Sequence, residues 1–427
     1  MLRQFARSSS SLSAGRVVSA RLATRHAGAV TGLVAGRAVS RGIHSLNTFT
    51  EEEDLFRESV SKFAEEVVAP KVREMDENEA MDPAIVQAMF DNGLMGIETP
   101  EEFGGAGASF TSAILVVEEL AKVDPSVSVL NDVHNTLVNT TIRTFGSDAL
   151  KEKYLPLLAS GKVGSFCLSE ASSGSDAFAL KSKATKNADG DYVLTGSKMW
   201  ITNSAEAEIF VILANLDPSQ GYKGITAFVV EKDMGVQIAK KEKKLGIKAS
   251  STCVLHFDDI VVPKENLLGE EGKGYKIAIE CLNEGRIGIA AQMTGLAQGA
   301  FNRATDYIFN DRKQFNKLIG EFQGVQFQVA QAATDIEASR LLLYNAARLK
   351  EEGKPFVKEA AMAKLYASQM AQRVSSAAVD WMGGVGFTRE DILEKFYRDS
   401  KIGTIYEGTT NIQLQTIAKL IQKERTQ

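Results

Sequence analysis

The amino-acid sequence predicts an α+β protein in which a β-rich segment lies between two helical segments. Apolar residues recur every three or four positions over residues 46–161 and again over 281–427, which is the spacing of helices with one buried face. Between them, residues 162–280 contain short β-prone runs separated by turn residues. We therefore predict an N-terminal helical domain, a central β domain and a C-terminal helical bundle with these bounds.

The segment before these domains, residues 1–45, has the composition of an organellar targeting sequence. The first 50 residues contain seven arginines and no Asp or Glu, and Ser and Ala are frequent among them. They lack the continuous apolar core of a secretory signal. We predict a mitochondrial transit peptide, and the alternative is a basic tail without a targeting function.

Charge and composition disfavour several classes of protein. The 427 residues carry a net charge of −5, and without the seven N-terminal arginines 42 basic side chains stand against 54 acidic ones, a balance of −12. Such a chain is a poor partner for nucleic acid. No apolar run approaches the roughly 18 residues of a membrane-spanning helix. Cys167, Cys253 and Cys281 are too widely spaced for a disulfide scaffold or a structural zinc site.

The N-terminal pattern is that of amphipathic helices. Leu55, Val60 and Phe63 are spaced as on one helical face. The pairs Asp82–Pro83 and Asp124–Pro125 interrupt the pattern, because Pro and its preceding residue favour turns and helix boundaries. We therefore expect several helices with breaks at these pairs.

The central pattern favours strands, and the helical spacing returns after Cys281. The β-prone runs cover residues 192–194, 209–213, 225–230 and 253–257. Asn187, Asp189, Gly190 and Asp191 are typical of a hairpin turn. In the last segment, two helices are indicated by Ile336, Leu343 and Ala347 and by Met362, Leu365, Met370 and Val374.

Two glycine clusters and one serine-rich loop are candidate ligand sites. The clusters are GEEGKGY and WMGGVGF, and neither has the strand context of a dinucleotide fingerprint. On composition, a helix C-cap and tight turn is the favoured explanation of WMGGVGF. The loop FCLSEASSGSD (Phe166 to Asp176) offers backbone N–H donors to an anion, but on the residues alone an ordinary surface turn is the favoured explanation.

Glu407 is a candidate base for removing a proton from carbon next to a carbonyl group. It lies in IGTIYEGTTNIQ between an apolar stretch and a glycine, so its carboxylate can be partly buried. Most glutamates are solvated, and the residues alone do not single it out. His26, His44, His134 and His256 do not cluster as metal ligands, and no GxSxG or HExxH motif indicates a hydrolase.

Seven motifs follow one another in a fixed order: FCLSEASSGSD, KMWITNS, LGIKASSTC, CLNEGRIGIAAQM, DRKQF, WMGGVGF and YEGTTNIQ. Together they resemble the acyl-CoA dehydrogenase family over about residues 50–425. The resemblance implies that family's fold with a C-terminal four-helix bundle, noncovalently bound FAD, and oxidation of an acyl-CoA thioester to a 2-enoyl-CoA. DWMGG and KIGTIYEG resemble members that act on short branched chains, which implies 2-methylbutyryl-CoA or a similar substrate, with butyryl-CoA as the alternative.

The resemblance also assigns roles to individual residues. Glu407 matches the family's catalytic base, and the position that carries the base in some members is Gly285 here. The flavin is expected to contact Phe166, Leu168, Ser169, Trp200 and Thr202. The rest of FAD is expected to contact Ser175, Arg312, Phe315, Gln323, Asp380, Gly383, Gly384, Thr409 and Asn411, some of them across a subunit boundary. The CoA path is expected to be lined by Ser175, Tyr222, Tyr275, Asn283 and Arg286.

Partners and location follow from the same resemblance. It implies an electron-transferring flavoprotein as electron acceptor, a homotetramer built as a dimer of dimers, and the mitochondrial matrix. Two alternatives share the fold. One is an oxidase-like or nitroalkane-oxidising flavoenzyme, in which oxygen accepts the electrons. The other is a flavoprotein scaffold or nucleic-acid-protecting relative without turnover, which the acidic chain and the pair Glu407–Gly408 disfavour.

Overall fold

The computed structural model of the protein describes residues 46–426. The predicted transit peptide, residues 1–45, lies outside this range. None of the helices within 46–426 combines the length and the apolar character that crossing a bilayer requires. Over the same residues, no group of His, Cys, Asp and Glu side chains is arranged to hold a metal ion.

The N-terminal segment is a cluster of helices whose starts are capped. Thr50 Oγ1 accepts a hydrogen bond from the Glu53 amide (3.1 Å), and Glu53 Oε2 accepts one from the Thr50 amide (2.9 Å). Asp82 and Asp124 cap the two helices that begin at the following prolines, so the predicted breaks are helix starts. The helices are α1 (Glu51–Phe63), α2 (Val72–Asn78), α3 (Pro83–Asp91), α4 (Phe110–Ala121), α5 (Pro125–Asp132), α6 (Thr140–Phe145) and α7 (Asp148–Ser160).

A π-helical stretch, Val133–Asn139, joins α5 to α6 and is buried along its whole length. π-helical stretches are rare in proteins, and those that occur are often found at functional sites. Its first turn contains His134, whose Nδ1 accepts from the Gly164 amide (3.0 Å) and whose Nε2 lies 2.8 Å from the Met95 carbonyl. Burial lowers the pKa of His134 to about 4, so the ring is neutral and serves to join the π-helical stretch to β1 (Val163–Cys167).

The central segment is a mixed sheet. The strands are β1 (Val163–Cys167), β2 (Lys183–Lys186), β3 (Tyr192–Thr202), β4 (Ala207–Asn215), β5 (Ile225–Glu231), β6 (Gln237–Lys241), β7 (Thr252–Val262) and β8 (Leu267–Leu268). Their order is β6-β7-β3-β2-β4-β5-β8, and β1 pairs with β4 in parallel. The Asn187 amide donates to the Asp191 carbonyl (2.9 Å), which closes the predicted hairpin turn between β2 and β3.

Alternation along β4 decides which side of the sheet packs against the helices. Ile209, Val211 and Leu213 belong to the main helical core, whereas Phe210 and Ile212 belong to a separate core on the other face. β1 runs beside β4 and is buried throughout, so its end delivers the loop that follows it to the junction of sheet and helices.

The C-terminal segment is built around a long central helix, α8, which begins at Gly274, ahead of the predicted boundary at residue 281. A small hairpin of β9 (Lys313–Gln314) and β10 (Lys317–Leu318) follows it. The other helices are α9 (Gln323–Glu351), α10 (Val357–Met382), α11 (Gly384–Phe387), α12 (Leu393–Ser400) and α13 (Thr410–Thr426). The long helices α8, α9, α10 and α13 correspond to the expected four-helix bundle.

Glycines along α8 allow other groups to approach its backbone. A Cβ at Gly295 would overlap the Glu118 carbonyl of α4. At Gly285 and Gly288, by contrast, carboxyl groups are among the nearest neighbours, those of Glu407 and Asp132. The absence of side chains at these two positions therefore leaves room for two carboxyl groups against one face of α8.

Candidate active site

The loop that carries Glu407 is held by its backbone carbonyls. Glu407 and Gly408 both adopt left-handed conformations, with φ of 48° and 85°. Gln413 Nε2 donates to the carbonyls of Glu407 (2.9 Å) and Gly408 (3.0 Å), and Lys364 Nζ donates to the Gly408 carbonyl (2.6 Å). A Cβ at position 408 would come within 2.6 Å of Gln413 Nε2, and the positive φ is strained for other residues, so the position favours glycine.

The Glu407 side chain is partly buried, and its carboxylate is left without a donor. Oε2 is inaccessible and has no hydrogen-bond partner among the described residues. It lies 3.0 Å from the place that a Cβ on Gly285 would take. The neighbouring Glu284 points away and pairs with Lys350 (3.3 Å). The carboxylate of Glu407 therefore takes the space that a side chain at position 285 would need.

The electrostatics favour a base that titrates near neutral pH. Burial raises the pKa of Glu407 to about 7, and the cations of Lys364 and Arg286 oppose that rise. Burial also lowers the pKa of Lys364 to about 7, while Glu407 opposes this change. Burial lowers the pKa of Arg286 as well. A carboxylate in this setting can accept a proton more strongly than a solvated glutamate can.

The residues expected near the flavin meet where β1 ends against β3. The Met199 amide donates to the Ser169 carbonyl (2.9 Å), and Ser165 Oγ donates to the Thr202 carbonyl (2.6 Å). Trp200 sits where the register of β3 against β7 shifts, with φ of 59°, and its side chain is 51% exposed. The structure thus brings Phe166, Leu168, Ser169, Trp200 and Thr202 to one edge and leaves an aromatic face open there.

A buried ion pair fixes this edge. Lys198 Nζ contacts Glu170 Oε1 (2.8 Å) and donates to the Leu168 carbonyl (3.1 Å). Glu170 also accepts from the amides of Lys181 (2.6 Å) and Ser182 (3.0 Å). The loop after β1 is therefore ordered by a satisfied carboxylate together with Ser173, whose Oγ donates to the carbonyls of Asp176 (2.8 Å) and Ala177 (3.0 Å).

The residues expected at the adenine dinucleotide part fall into a second group, at the C-terminal end of α10. The Arg312 guanidinium donates to the Trp381 carbonyl (2.5 Å) and lies against Gly383, where a Cβ would be 2.5 Å from Nη2. Gly383 ends α10 with φ of 66°. WMGGVGF is therefore a helix C-terminus, as its composition favoured. Phe315 is 88% exposed, and Gln323 and Asp380 are also at the surface.

The residues expected along the CoA path form two groups. Tyr222 and Tyr275 stack edge to face (4.9 Å between ring centroids), and Tyr275 also contacts Phe178 in the loop that follows the exposed Ser175. Asn283 and Arg286 lie further along α8, where Arg286 Nη1 donates to Asn283 Oδ1 (2.7 Å). The Coulombic interaction of Arg286 is with Glu407.

Thr409 and Asn411 belong to the start of α13. Thr409 Oγ1 accepts from the Ile412 amide (3.4 Å), and Asn411 is exposed in the first turn. Both follow Glu407 directly, so the same turn can present the base and a pair of polar side chains.

The sequence interpretation missed Lys364, Gln413, Asp132 and the Glu170–Lys198 pair. A signal existed for Lys364, which shares a helical face with the buried Ala360 and Ala367. A charged residue on an otherwise apolar face needs a partner, and such a residue deserves consideration as part of a site.

Comparison with known proteins matches most of the described chain. The models for the N-terminal, middle and C-terminal domains of acyl-CoA dehydrogenase match residues 50–162, 165–260 and 272–422. A probable short/branched chain specific acyl-CoA dehydrogenase of Dictyostelium discoideum is 57% identical over 382 residues, 89% of this chain and 92% of the relative. The mitochondrial short/branched chain specific enzyme of Rattus norvegicus is 55% identical, over 89% and 88%.

Solved structures of similar fold support the same assignment. The butyryl-CoA dehydrogenase of Megasphaera elsdenii superposes with a TM-score of 0.86 at 42% identity, over 88% of this chain and 99% of that one. An acyl-CoA dehydrogenase of Bacillus anthracis in complex with FAD gives 0.84 at 32% identity, over 90% and 68%. Because every domain is matched in order and two relatives exceed half identity, the chain belongs to the acyl-CoA dehydrogenase family.

Proposed function

We propose that the protein uses FAD to dehydrogenate short branched-chain acyl-CoA thioesters, such as 2-methylbutyryl-CoA, to 2-enoyl-CoA. The observation that carries this proposal is the Glu407 carboxylate, whose Oε2 is buried without a donor while the backbone of the loop is fixed by Lys364 and Gln413. The names of the Dictyostelium and rat relatives support the acyl preference.

Glu407 is the residue that removes the α-proton. A free glutamate has a pKa of about 4.3 and is too weak a base for a thioester α-C–H. Burial raises the pKa of Glu407 to about 7, so the site supplies part of the missing proton affinity. The rest must come from donors that stabilise the enolate-like oxygen and from simultaneous loss of the β-hydride.

The described residues fit FAD at the two places named above. The open face of Trp200 at the β1–β3 edge suits a flat ring, and the Arg312 guanidinium against Gly383 suits an anionic or polar group. FAD supplies the hydride acceptor when bound. Ser169, Thr202, Thr409 and Asn411 provide hydroxyl and amide groups to orient it, and Phe315, Gln323, Asp380 and Gly384 offer further contacts at the exposed end.

The CoA part of the substrate is proposed to pass Ser175 and the edge-to-face pair of Tyr222 and Tyr275 before the thioester reaches Glu407. Asn283 and Arg286 lie at the inner end of this path. Because Arg286 acts on Glu407, its charge also helps to keep the base ionised.

Butyryl-CoA is the second candidate substrate, because a butyryl-CoA dehydrogenase superposes with a TM-score of 0.86. The two candidates differ by one methyl branch at the α-carbon. A panel of straight and branched acyl-CoA substrates, compared by kcat/KM, separates them. We expect the highest value for 2-methylbutyryl-CoA, and a preference for chains of eight or more carbons contradicts the proposal.

Electrons are proposed to leave to an electron-transferring flavoprotein, and the protein is proposed to act as a homotetramer in the mitochondrial matrix. The exposed Phe315, close in sequence to Arg312, supports a neighbouring subunit at the adenine end of FAD. The arginine-rich first 45 residues and the mitochondrial rat relative support the location. If oxygen reoxidises the reduced enzyme faster than the flavoprotein does, the proposed electron acceptor is wrong.

The decisive experiment replaces the base with its neutral isostere. Glu407→Gln is expected to bind FAD normally, seen in the flavin absorbance, and to lose at least about 10²-fold in turnover. Glu284→Gln is the matched control, since Glu284 is a half-buried acid beside Gly285 on α8 but pairs with Lys350. Near-normal turnover of Glu407→Gln refutes the assignment.

A further inference from the structure

Asp132, the last residue of α5, is a second carboxyl group buried close to Glu407. Its side chain is 1% exposed, and a Cβ at Gly288 would overlap it. Gly285, one turn earlier on the same face of α8, has the Glu407 carboxylate as its neighbour. Since Cβ positions three residues apart on a helix are about 5–6 Å from each other, the two acids lie within roughly 10 Å.

Asp132 has one polar contact and no counter-ion. Thr136 Oγ1 donates to its Oδ1 (2.9 Å), and no ion pair within residues 46–426 includes it. The charged and titratable groups on the elements packed around the pair are Tyr406, Lys364, Arg286, Cys281, Lys395 and Asp399. Lys364 and Arg286 act on Glu407, and Lys395 is held by Asp124 and Asp399.

This asymmetry decides which acid keeps a proton. Burial raises the pKa of Asp132 to about 8, the charge of Glu407 raises it further, and the Thr136 hydroxyl opposes both. Two buried carboxyl groups in proximity do not ionise independently, so the second proton is held more tightly than the first. The two cations favour the ionised form at Glu407.

We propose that Asp132 is a positioning residue that holds the last proton of this carboxyl pair and thereby leaves Glu407 as the ionised member. The inference rests on the proposed role of Glu407 as base. The proton is only distributed between two carboxyl groups, so no oxidant or other reactant is involved. Dehydrogenation then starts from a defined charge state of the site.

The test is the pH profile of kcat/KM for the FAD-loaded enzyme. The wild type is expected to show two ionisations, a rise near pH 7 and a further rise above pH 8 as the second charge strengthens the base. Asp132→Asn keeps a neutral group of the same shape and is expected to show only the first. Retention of both ionisations in this variant overturns the proposal.

A second variant tests the proposal even if Asp132→Asn does not fold. Thr136→Val removes the hydroxyl that favours the ionised form of Asp132, so the upper ionisation is expected to move to higher pH. An unchanged upper ionisation overturns the proposal. Glu284→Gln is the matched control and is expected to keep both ionisations.

Infrared spectroscopy separates this proposal from the proposed function. At neutral pH the wild type is expected to show a protonated-carboxyl band that Asp132→Asn loses, whether or not the enzyme turns over. If Glu407→Gln stays active, the proposed function fails. If Glu407→Gln is inactive while Asp132→Asn retains the band and both ionisations, only the role of Asp132 fails.

Discussion

Two lysines of the C-terminal segment are fully buried, and they are partnered in opposite ways. Lys395 of α12 contacts Asp124 Oδ1 (3.0 Å) and Asp399 Oδ2 (2.5 Å). Asp399 also accepts from the Ile247 amide (2.5 Å), so the cluster connects α5, α12 and the turn before β7. Burial acts against the charge of Lys395, but the two carboxylates raise its pKa above the ordinary value.

Lys364 of α10 has no carboxylate in contact. Its ammonium donates to the Gly408 carbonyl, and the nearest acid that acts on it, Glu407, is not within ion-pair distance in the described chain. Burial lowers the pKa of Lys364 to about 7. The charge of Lys395 is neutralised by the carboxylates in contact with it, whereas the charge of Lys364 acts at longer range on Glu407.

The difference separates a structural cation from a functional one. Where a buried cation contacts two carboxylates, removing one partner destabilises the protein far more than the intact pair stabilises it. A buried cation near an unpaired acid keeps both groups titrating near neutral pH, which is typical of active sites. The two sites therefore respond differently to the same substitution.

Lys395→Met is expected to have the largest effect, a loss of about 3–5 kcal/mol in the free energy of unfolding, because it leaves Asp124 and Asp399 buried without a cation. Urea unfolding of the FAD-loaded protein measures it. Lys358→Met is the matched control, since Lys358 pairs with Glu424 at the surface, and no measurable loss is expected. A similar stability for the two variants contradicts the structural role of Lys395.

Lys364→Met is expected to leave stability close to that of the wild type and to lower kcat/KM about 100-fold, or about 2.7 kcal/mol. The anchor on Gly408 is lost, and the pKa of Glu407 rises without the opposing cation, so the rise of kcat/KM with pH moves to higher pH. If Lys364→Met is strongly destabilised but its kcat/KM has an unchanged pH profile, Lys364 is a structural cation like Lys395.

Much of the fold was predictable from periodic patterns. The helical and β-rich segments, the Asn187–Asp191 turn and the C-cap at Gly383 all depend on local spacing or on turn residues, which a sequence displays directly. The start of α8 at Gly274 was not anticipated, because GEEGKGY has the composition of a loop and glycine is typical of helix C-termini rather than of helix starts.

The candidate site was predictable only in part. Glu407 and the proposed FAD contacts were found through motifs, and those assignments stay predictions. Lys364, Gln413 and Asp132 act through contacts between elements far apart in the chain, as when Asp132 meets Gly288. No local pattern reports that a lysine on α10 faces a carbonyl before α13, so such residues emerge only from the fold.

Gln413→Leu is expected to lower kcat about tenfold, or about 1.4 kcal/mol, since it removes the two hydrogen bonds from Nε2 to the carbonyls of Glu407 and Gly408 while Lys364 remains. Steady-state kinetics with unchanged flavin absorbance measures this loss. Gln422→Leu on the exposed face of the same helix is the matched control. If Gln413→Leu loses more activity than Lys364→Met, the amide rather than the cation is the main anchor of the loop.

The smallest expected effect is on the free energy of unfolding, where Glu407→Gln measures how much the buried ionised carboxylate destabilises the fold. The pKa of Glu407 is about 7 in the folded protein and about 4.3 unfolded, so both states are protonated below pH 4 and the substitution changes nothing there. Between pH 4.3 and 7 the unfolded state loses its proton first, and the wild type becomes less stable as pH rises.

Above pH 7 that penalty is constant, and Glu407→Gln avoids it. Allowing for the partly exposed side chain, we expect the variant to be more stable by about 1 kcal/mol at pH 8, with no difference at pH 4. Thermal melts of the FAD-loaded proteins across this range measure the difference, with the surface variant Glu424→Gln as control. If the difference in stability between the two proteins does not change with pH, the pKa of Glu407 is not raised by folding.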